Sequence, residues 1–365
     1  MTILYLITKS EAGGAQTHVS QLCEYFRAHH TVVVVAYPGG WLQEECKKLG
    51  VEFIPNPYFS NAINPFRILK SLFKLRSIVQ TVRPDIVHCH SSVAGFLGRL
   101  VVRKRIPTVY TAHGWGFNTG VNVIQKYGAI FAELLVRRWT TAVICVSAFV
   151  RELGLKHHTI SSAASVVIYN GVEVKERMPH RTQDDIIRLV FVGRLTAPKR
   201  PLLLLQALAL CSSEMQKKVH ITVVGEGEQN EHLDRYARAH PELSIELTGS
   251  LPRKQVFDAL EQSDIFVFLS DWEGFPMTIL EAMSVGLPII ASDVGGVREM
   301  VNETYGILLK TNTVTNVQQA LSVLMQDEAL RKVMGEVSYQ TVRDRFSLEN
   351  MLQSVEELYT EISVS

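Results

Sequence analysis

The feature that most constrains this chain is the regular alternation of short Val-, Ile- and Tyr-rich runs with segments of helical periodicity. That alternation is typical of β-α-β units, which build a mostly parallel sheet with helices on its faces. In the first half we predict strands at Thr2–Thr8, Thr31–Ala36, Glu52–Pro55, Asp85–His88, Thr108–Ala112 and Ala142–Val146. In the second half we predict strands at Arg188–Val192, His220–Val224, Ser244–Leu247, Ile265–Leu269 and Ile289–Ser292.

The length favours two domains. A chain of 365 residues exceeds the usual size of one domain and is long enough for two separate cores. We predict a first domain over 1–173, a linker over 174–187, a second domain over 188–345 and a C-terminal helix over 346–365. The pattern makes both domains doubly wound and Rossmann-like, and we expect them to face a central cleft. Such sheets bind ligands beyond the carboxyl ends of their strands.

Local signals predict where several helices begin and end. Asn64-Pro65 is expected to start a helix that runs to Val82, because Pro is favoured in the first helical turn. Ser147 follows a strand and is expected to cap the next helix. The last part of the chain predicts amphipathic helices over 314–362, with a break at Phe346-Ser347.

The composition excludes several classes of protein. With 47% hydrophobic and 20% charged residues, the chain is neither disordered, collagenous nor a disulfide scaffold. No apolar run reaches the ~18–20 residues of a membrane span, and the run Ile3–Ile7 is too short for a signal-peptide core. The five cysteines form no C-x-x-C pair and have no zinc-ligand spacing. We therefore expect a reduced, cytoplasmic protein.

The net charge of +1 conceals two halves of opposite sign. Up to Lys175 there are 19 basic and 9 acidic residues, and after it 18 basic and 27 acidic, which gives +10 and −9. A basic first half suggests an anionic partner, such as a phosphate-bearing substrate, nucleic acid or an anionic membrane surface. Solvated helix faces with an accidental bias would give the same count.

Two glycine turns follow predicted strands. Gly13-Gly14 lies between the first strand and a helix, where backbone N–H groups and a helix N-terminus can meet an anion, although a plain tight turn has the same pattern. Gly193-Arg194 opens the second domain, and Lys199 follows five residues later. A guanidinium and an ammonium at this spacing can both reach one diphosphate, although surface cations of an α/β turn are an alternative.

The most informative segment contains two glutamates. Glu273 lies in a Gly-Pro loop after a strand, whereas Glu281 lies inside the helix that this loop starts. A loop carboxylate can accept hydrogen bonds from sugar hydroxyls, and a carboxylate about one turn into the helix can bind a vicinal diol such as ribose. The alternative is an acidic loop followed by an ordinary helical Glu.

The motifs occur together over nearly the whole chain. They are Gly13-Gly14, Thr111-Ala112-His113-Gly114, Tyr169-Asn170-Gly171-Val172, Gly193-Arg194 with Lys199, Gly225-Glu226-Gly227, Glu273-x7-Glu281, Gly286-Leu287-Pro288-Ile289 and Asp293-Val294-Gly295-Gly296. In this order they resemble the retaining glycosyltransferases of family four, which have the GT-B fold. The variant at Thr8–Gln16, together with His113-Gly114-Trp115, is similar to bacterial enzymes of O-antigen, capsule or exopolysaccharide synthesis.

The resemblance implies a role for each site residue. Arg194 and Lys199 would neutralise the donor diphosphate, and His113 would contact the sugar or the reacting centre. Glu273 would bind hydroxyls of the donor sugar, and Glu281 would bind the ribose. The remaining substrate-binding positions that the resemblance implies are Gly13, Gly14, Asn170, Gly225, Leu251, Gly274, Phe275, Pro276, Met277 and Thr278.

The same resemblance implies a reaction. A sugar would move, with retention, from a nucleotide sugar, with UDP favoured over GDP or ADP, to a hydroxyl of a polyprenyl-diphosphate-linked saccharide. Retention would follow a front-side route in which the leaving phosphate oxygen helps to deprotonate the incoming hydroxyl, without the paired carboxylates of hydrolases. There is no Asp-x-Asp motif, because Asp184-Asp185 is an adjacent pair in the linker. We expect no metal and no cofactor.

Other functions remain open at this stage. A sugar-nucleotide epimerase or a non-catalytic sugar-nucleotide-binding protein could use the same fold. Nucleic acid is not expected as a partner, because the chain has no recognisable recognition motif and its second half is acidic.

One predicted helix suggests an anionic membrane as a partner. The segment 64–83 contains no acid and carries the cations Arg67, Lys70, Lys74, Arg76 and Arg83. It combines them with the apolar residues Phe66, Ile68, Leu69, Leu72, Phe73, Leu75, Ile78 and Val79. Such a helix could lie on anionic lipid at the cytoplasmic face of the inner membrane. Its apolar residues could equally pack on the sheet.

Overall fold

The computed structural model describes residues 1–60, 64–118, 120–176 and 185–364. The chain divides into two compact units, one formed by Met1–Asn170 with Met351–Ser365 and the other by Gly171–Asn350. Most of the predicted linker, including Asp184, lies outside the described residues. Within the described ranges, no helix is both long and apolar enough to cross a membrane.

Each unit contains one parallel sheet. The strands are β1 Thr2–Leu6, β2 Thr31–Ala36, β3 Glu52–Pro55, β4 Ile86–His90, β5 Thr108–Ala112, β6 Ala142–Cys145, β7 Ser165–Val167, β8 Ile187–Val192, β9 Val219–Val224, β10 Ser244–Gly249, β11 Ile265–Phe268, β12 Ile289–Ser292 and β13 Gly306–Leu309. The first sheet has the strand order β3-β2-β1-β4-β5-β6-β7 and the second β10-β9-β8-β11-β12-β13.

Helices connect most of the successive strands, and the last three helices follow β13. The helices are α1 Gly14–Phe26, α2 Trp41–Leu49, α3 Pro65–Val82, α4 Ser92–Val102, α5 Val123–Val136, α6 Ala148–Lys156, α7 Pro201–Ala209, α8 Ser213–Lys217, α9 Asn230–Ala239, α10 Arg253–Glu261, α11 Met277–Ser284, α12 Val297–Met300, α13 Val314–Gln326, α14 Glu328–Arg345 and α15 Leu348–Val364, and a 3-10 turn covers Arg137–Trp139.

Both sheets reverse their strand order beside the first strand. In the first unit β1 lies between β2 and β4, and in the second β8 lies between β9 and β11. The connections on the two sides of β1 and β8 run in opposite directions along the sheet. Right-handed crossovers therefore place helices on both faces of each sheet. The connections through α3, α4 and α5 run in one direction, which puts these three helices on the same face of the first sheet. The predicted doubly wound α/β class is confirmed.

The central strands form the cores. Every residue of β4, β5, β11 and β12 is buried, as expected for parallel strands covered on both faces. All eleven predicted strands are present, with small shifts at their ends. The edge strands β7 and β13 were not predicted, because the first has only three residues, none of them buried, and the second begins with Gly306.

The predicted helix signals are also confirmed. Asn64 caps α3 by accepting a hydrogen bond from the N–H of Arg67, with Pro65 at the first position. Ser147 caps α6 by accepting from the N–H of Val150. α14 ends at Arg345 and α15 begins at Leu348, so the helical structure is interrupted at Phe346-Ser347, as predicted.

Candidate functional site

The predicted diphosphate and sugar residues follow the two strands that flank the switch point of the second sheet. Arg194 and Lys199 come after β8, and Glu273 comes after its neighbour β11. Loops from such strands leave the sheet in opposite directions and open a crevice between them. The topology therefore brings residues far apart in sequence to one place.

Lys199 and Glu273 are in direct contact. The Nζ of Lys199 lies 2.6 Å from the Oε1 of Glu273, and their side chains are only 15% and 14% exposed. The hydroxyl of Ser270 donates to the same carboxylate oxygen at 2.6 Å, and the Phe268 ring centroid lies 3.8 Å from the ammonium. The cation is therefore held by an ion pair and a ring face.

The surroundings of Lys199 shift its pKa in opposite directions. Burial lowers the pKa of Lys199, and Arg194 acts in the same direction, whereas Glu273 opposes both. Arg194 itself is exposed, and within the described residues it pairs with no acidic side chain. The loop after β8 carries Arg194, Lys199 and Arg200. Glu273 pairs with Lys199 and Asp271 pairs with Arg200, which leaves the positive charge of Arg194 for an anion.

Close backbone contacts fix the loop that carries Arg194. A Cβ on Gly225 would lie 1.9 Å from the carbonyl oxygen of Gly193, and the φ of Gly225 is +139°. The N–H of Gly193 donates to Val224 and the N–H of Leu195 to Glu226, at 3.0 and 2.8 Å. Only glycine fits at position 225, so this predicted residue acts first on the shape of the loop.

A network that the sequence analysis missed holds the Glu273 loop. Ser292 accepts from the N–H of Ser270 at 3.0 Å and bonds the side chain of Asn312 at 2.6 Å, and the amide of Asn312 donates to the carbonyl of Ser270 at 2.8 Å. These residues come from the ends of β11, β12 and the loop after β13. No local signal marks them, because their partners are 20 to 42 positions away.

The start of α11 presents further polar groups. Pro276 precedes the helix and no side chain caps it. The Thr278 hydroxyl is buried and has no hydrogen-bond partner within the described residues. Glu281 lies one turn further and is partly buried; burial raises its pKa to about 7, although Arg253 opposes this. The preceding Gly274 and Phe275 are buried and Met277 begins the helix.

The predicted Leu251 belongs to the loop between β10 and α10. It follows β10, is partly buried and precedes α10. The structure therefore brings Lys199 and Glu273 into direct contact and places Arg194 near enough to lower the pKa of Lys199. Leu251 lies in a loop beyond a strand, as predicted.

In the first unit, His113 belongs to a group of four histidines. It follows β5, and its Nε2 lies 3.2 Å from the Nδ1 of His90 at the end of β4. The ring of His18 from α1 meets His113 edge-on at 5.1 Å, and the rings of His88 and His90 are 4.2 Å apart. Sequence analysis found His113 alone, because strands β4 and β5 and helix α1 meet only in the fold.

Burial keeps these imidazoles neutral. It lowers the pKa of His113 and of His90 well below the usual value, and lowers that of His18 to about 4, although Asn170 opposes the shift of His18. His88 is fixed by Thr111, 2.7 Å from its Nε2, and by Tyr359 of α15. Within the described ranges no three His, Cys, Asp or Glu side chains are arranged to hold a metal ion.

The predicted glycine pair begins α1, one turn before His18. Gly13 has a φ of 173°, an extended conformation that any residue can adopt. A Cβ there would meet only the end of the Gln16 side chain, at 2.9 Å. Packing within the described residues therefore does not demand glycine at this position. Gly13, Gly14, Asn170 and His113 all lie around His18.

Comparison with known proteins adds a family and a fold. Residues 12–176 match the family described as Glycosyltransferase Family 4, and residues 173–341 match Glycosyl transferases group 1. The UDP-Gal:alpha-D-GlcNAc-diphosphoundecaprenol alpha-1,3-galactosyltransferase of Escherichia coli is 29% identical, over 85% of this chain and 84% of that one.

Two further similarities are informative. The N,N'-diacetylbacillosaminyl-diphospho-undecaprenol alpha-1,3-N-acetylgalactosaminyltransferase of Campylobacter jejuni is 26% identical over 82% of this chain and 83% of that one. The crystal structure of Anabaena Alr3699/HepE in complex with UDP and glucose has a TM-score of 0.83 at 18% identity and covers 99% of this chain and all of that one. The latter shows a shared fold.

Proposed function

We propose a function from the premise that this chain belongs to the glycosyltransferases of family 4 and has the GT-B fold. The chain moves a sugar from a UDP-sugar to a hydroxyl of a polyprenyl-diphosphate-linked saccharide. This transfer is a step of bacterial surface polysaccharide synthesis. The names of the two relatives support the acceptor, because both contain a sugar linked to undecaprenol through a diphosphate. The name of the Escherichia coli relative also supports a UDP-sugar donor.

The observation that carries the proposal is the contact of Lys199 with Glu273 beside Arg194, at the switch point of the second sheet. The two cations bind the donor diphosphate and stabilise the negative charge that grows on it as the glycosidic bond breaks. Because Ser270 and Glu273 already orient Lys199, little reorganisation is needed when the donor arrives. Glu273 accepts hydrogen bonds from the donor sugar.

Neighbouring residues bind the rest of the donor. Glu281 accepts from the ribose hydroxyls as a carboxylate, and the unpartnered Thr278 hydroxyl and the first N–H groups of α11 receive phosphate oxygens. Leu251 offers backbone atoms to the base. Gly274, Phe275, Pro276 and Met277 form the loop that leads into this helix start.

We assign the first unit to the acceptor. His113 is a neutral imidazole whose Nε2 is engaged with His90, which leaves its Nδ1 for a sugar hydroxyl. Gly13, Gly14 and Asn170 form the surroundings of this imidazole through α1 and His18. A neutral ring suits a hydroxyl partner, because it can donate or accept a hydrogen bond without a change of charge.

The reaction proceeds with retention by a front-side route. The leaving phosphate oxygen takes the proton of the incoming hydroxyl while Arg194 and Lys199 stabilise the diphosphate. These cations supply the charge that a divalent metal supplies in other transferases, so a chelator should leave the rate unchanged. Since the acceptor is lipid-linked, we place the protein at the cytoplasmic face of the inner membrane, as a peripheral protein.

Mass spectrometry of products tests the proposal. The full chain is incubated with a panel of nucleotide sugars and a polyprenyl-diphosphate-linked disaccharide, and the anomeric proton of the product is read by NMR. We expect one added sugar of retained configuration with a UDP donor. A protein that binds UDP but forms no product with any donor would be a binding protein, and an altered sugar nucleotide without transfer would indicate an epimerase.

A further inference from the structure

Helix α5 exposes a stripe of large apolar residues. Ile124, Tyr127 and Phe131 are 86%, 65% and 69% exposed. Their spacing of three and four positions puts them on one side of the helix. Val123 precedes the stripe and is also exposed, so the first turns of α5 present apolar surface rather than burying it.

Helix α3 has a second apolar side as well. Ser71, Leu75 and Ile78 are buried against the rest of the unit. Phe66, Leu69 and Phe73 have the same helical spacing but are exposed. The apolar residues of this helix therefore form two sets. One set packs on the rest of the unit, and the other is exposed.

The two stripes belong to one layer of the first unit. Helices α3 and α5 both contact α4, which lies between them on the same face of the sheet. α4 lies close to the sheet, because a Cβ on Gly95 or Gly98 would come within 2.6 Å of Tyr110 or Leu6. The exposed residues of both stripes occupy the first turns, which follow the carboxyl ends of β3 and β5.

The charges around the stripes have one sign. α3 carries Arg67, Lys70, Lys74 and Arg76 and no acid, and α5 carries Lys126. Glu133 is the one acid in these two described helices, and it is buried with its carboxylate 2.9 Å from the guanidinium of Arg99. The surface therefore combines apolar side chains with cations and exposes no carboxylate from either helix.

We propose that this α3–α5 face, formed by Phe66, Leu69, Phe73, Ile124, Tyr127 and Phe131 with the cations named above, docks on an anionic lipid bilayer. The α5 stripe enters the boundary between headgroups and acyl chains, while the α3 cations bind lipid phosphates. This extends the membrane association predicted from segment 64–83 to a second helix that the sequence did not single out. This docking proposal rests on the proposed function, because a polyprenyl-linked acceptor resides in the bilayer.

The charges favour a bilayer over a second copy of this chain. A symmetric contact through this face would bring the cations of both α3 helices together without a carboxylate between them. A bilayer supplies both apolar depth and phosphate charge, and Tyr127 suits the interface because its hydroxyl can stay in water.

Vesicle flotation with the full chain tests the apolar contribution. Vesicles contain phosphatidylcholine alone or mixed in equal amounts with phosphatidylglycerol. The triple variant Ile124→Ser, Tyr127→Ser, Phe131→Ser should bind the mixed vesicles more than about tenfold more weakly. The matched control Leu210→Ser, Val323→Ser, Val333→Ser removes three apolar side chains that are also exposed, 61%, 48% and 57%, and should bind like the wild type.

A label reports insertion directly. The five native cysteines are buried, so Phe131→Cys or Leu210→Cys provides the reactive thiol for an environment-sensitive fluorophore. The label at 131 should shift to shorter wavelength on mixed vesicles, and the label at 210 should not. Lys70→Gln with Lys74→Gln should remove the preference for phosphatidylglycerol and the sensitivity to salt.

Three results would overturn the proposal: equal binding of the α5 triple variant and its control, no shift of the label at 131, or a wild-type dimer that the triple variant disrupts. Transfer to a short-chain, water-soluble acceptor separates the two proposals. If the α5 variant retains this transfer, the enzyme is intact whatever the vesicles show. If the wild type lacks it, the proposed function fails, whereas flotation still reports on the surface.

Discussion

At the carboxyl edge of the first sheet His90 and His113 belong to a group of buried imidazoles, whereas the second sheet places a guanidinium, an ammonium and a carboxylate at the corresponding edge. Burial makes His113 and its neighbours neutral, and the neighbouring imidazoles, with ring centroids 4.2 to 5.5 Å apart, lower the pKa values further. Lys199 also experiences burial, but the contact with Glu273 opposes the loss of its charge. Two sheets of the same design thus offer one neutral and one charged edge, suited to hydroxyls and to a diphosphate respectively.

The largest effect is expected when a cation is removed from the charged edge of the second sheet. Arg194→Ala or Lys199→Ala should each lower transfer by roughly 10²- to 10³-fold and weaken nucleoside-diphosphate binding, because the charge of the leaving group loses its partner. Steady-state kinetics and calorimetry measure both. Lys332→Ala removes a lysine from the exposed pair with Glu328 and should change neither. Unchanged kinetics in folded Arg194→Ala and Lys199→Ala would make these cations ordinary surface residues.

A smaller loss is expected at the neutral edge. His113→Ala should lower transfer by about ten- to a hundredfold through the lost hydrogen bond, with little effect on binding of free nucleoside diphosphate. Because the pKa of His113 lies well below its usual value, the wild-type rate should show no titration of this group near neutral pH. The exposed His232→Ala is the matched control. A rate that follows imidazole protonation at neutral pH and loses this dependence in His113→Ala would contradict a neutral edge.

The two edges should also differ in pH dependence. The pKa of Glu281 is raised to about 7 by burial, so raising the pH through 7 converts it to the carboxylate that accepts from ribose. UDP affinity should therefore increase by up to about tenfold between about pH 6 and about pH 8. UDP itself titrates near about pH 6, so Glu281→Gln is measured alongside to isolate the protein's share. An identical pH profile in Glu281→Gln would remove this role.

The smallest expected effect concerns the support of the charged edge. Asn312→Ala breaks the bonds to Ser270 and Ser292 and should loosen the loop that carries Glu273. Turnover should fall a few-fold while UDP affinity stays nearly constant, since Asn312 is a positioning residue. Asn316→Ala removes another asparagine with local bonds to Thr311 and should leave turnover unchanged. Equal loss of affinity and turnover in Asn312→Ala would point to general destabilisation instead.

Sequence patterns were informative where the determinant is local. Strand and helix periodicity, Pro65 and the cap at Ser147 depend on neighbouring residues, and the structure contains them all. The glycine loop after β9 was one of the motifs of the family resemblance, and the structure supplies its reason, because a Cβ on Gly225 would clash with Gly193.

Other features depend on contacts that the topology creates. Lys199 and Glu273 are 74 positions apart and were assigned separate roles, and no spacing rule predicts their contact. The histidine group and the Asn312 network join three or more elements each. In α3, Phe73 is exposed and Leu75 is buried because the two lie on different sides of the helix and only the side of Leu75 packs against the unit.

The central claim is that Glu273 serves the donor sugar and Glu281 the nucleoside, and calorimetry with UDP beside transfer rates tests it most directly. Glu281→Gln should weaken UDP binding by about 1–3 kcal/mol. Glu273→Gln should leave UDP binding unchanged or strengthen it, because it releases Lys199 from its carboxylate, and should instead cut transfer. Equal loss of UDP affinity in the two folded variants would contradict the account.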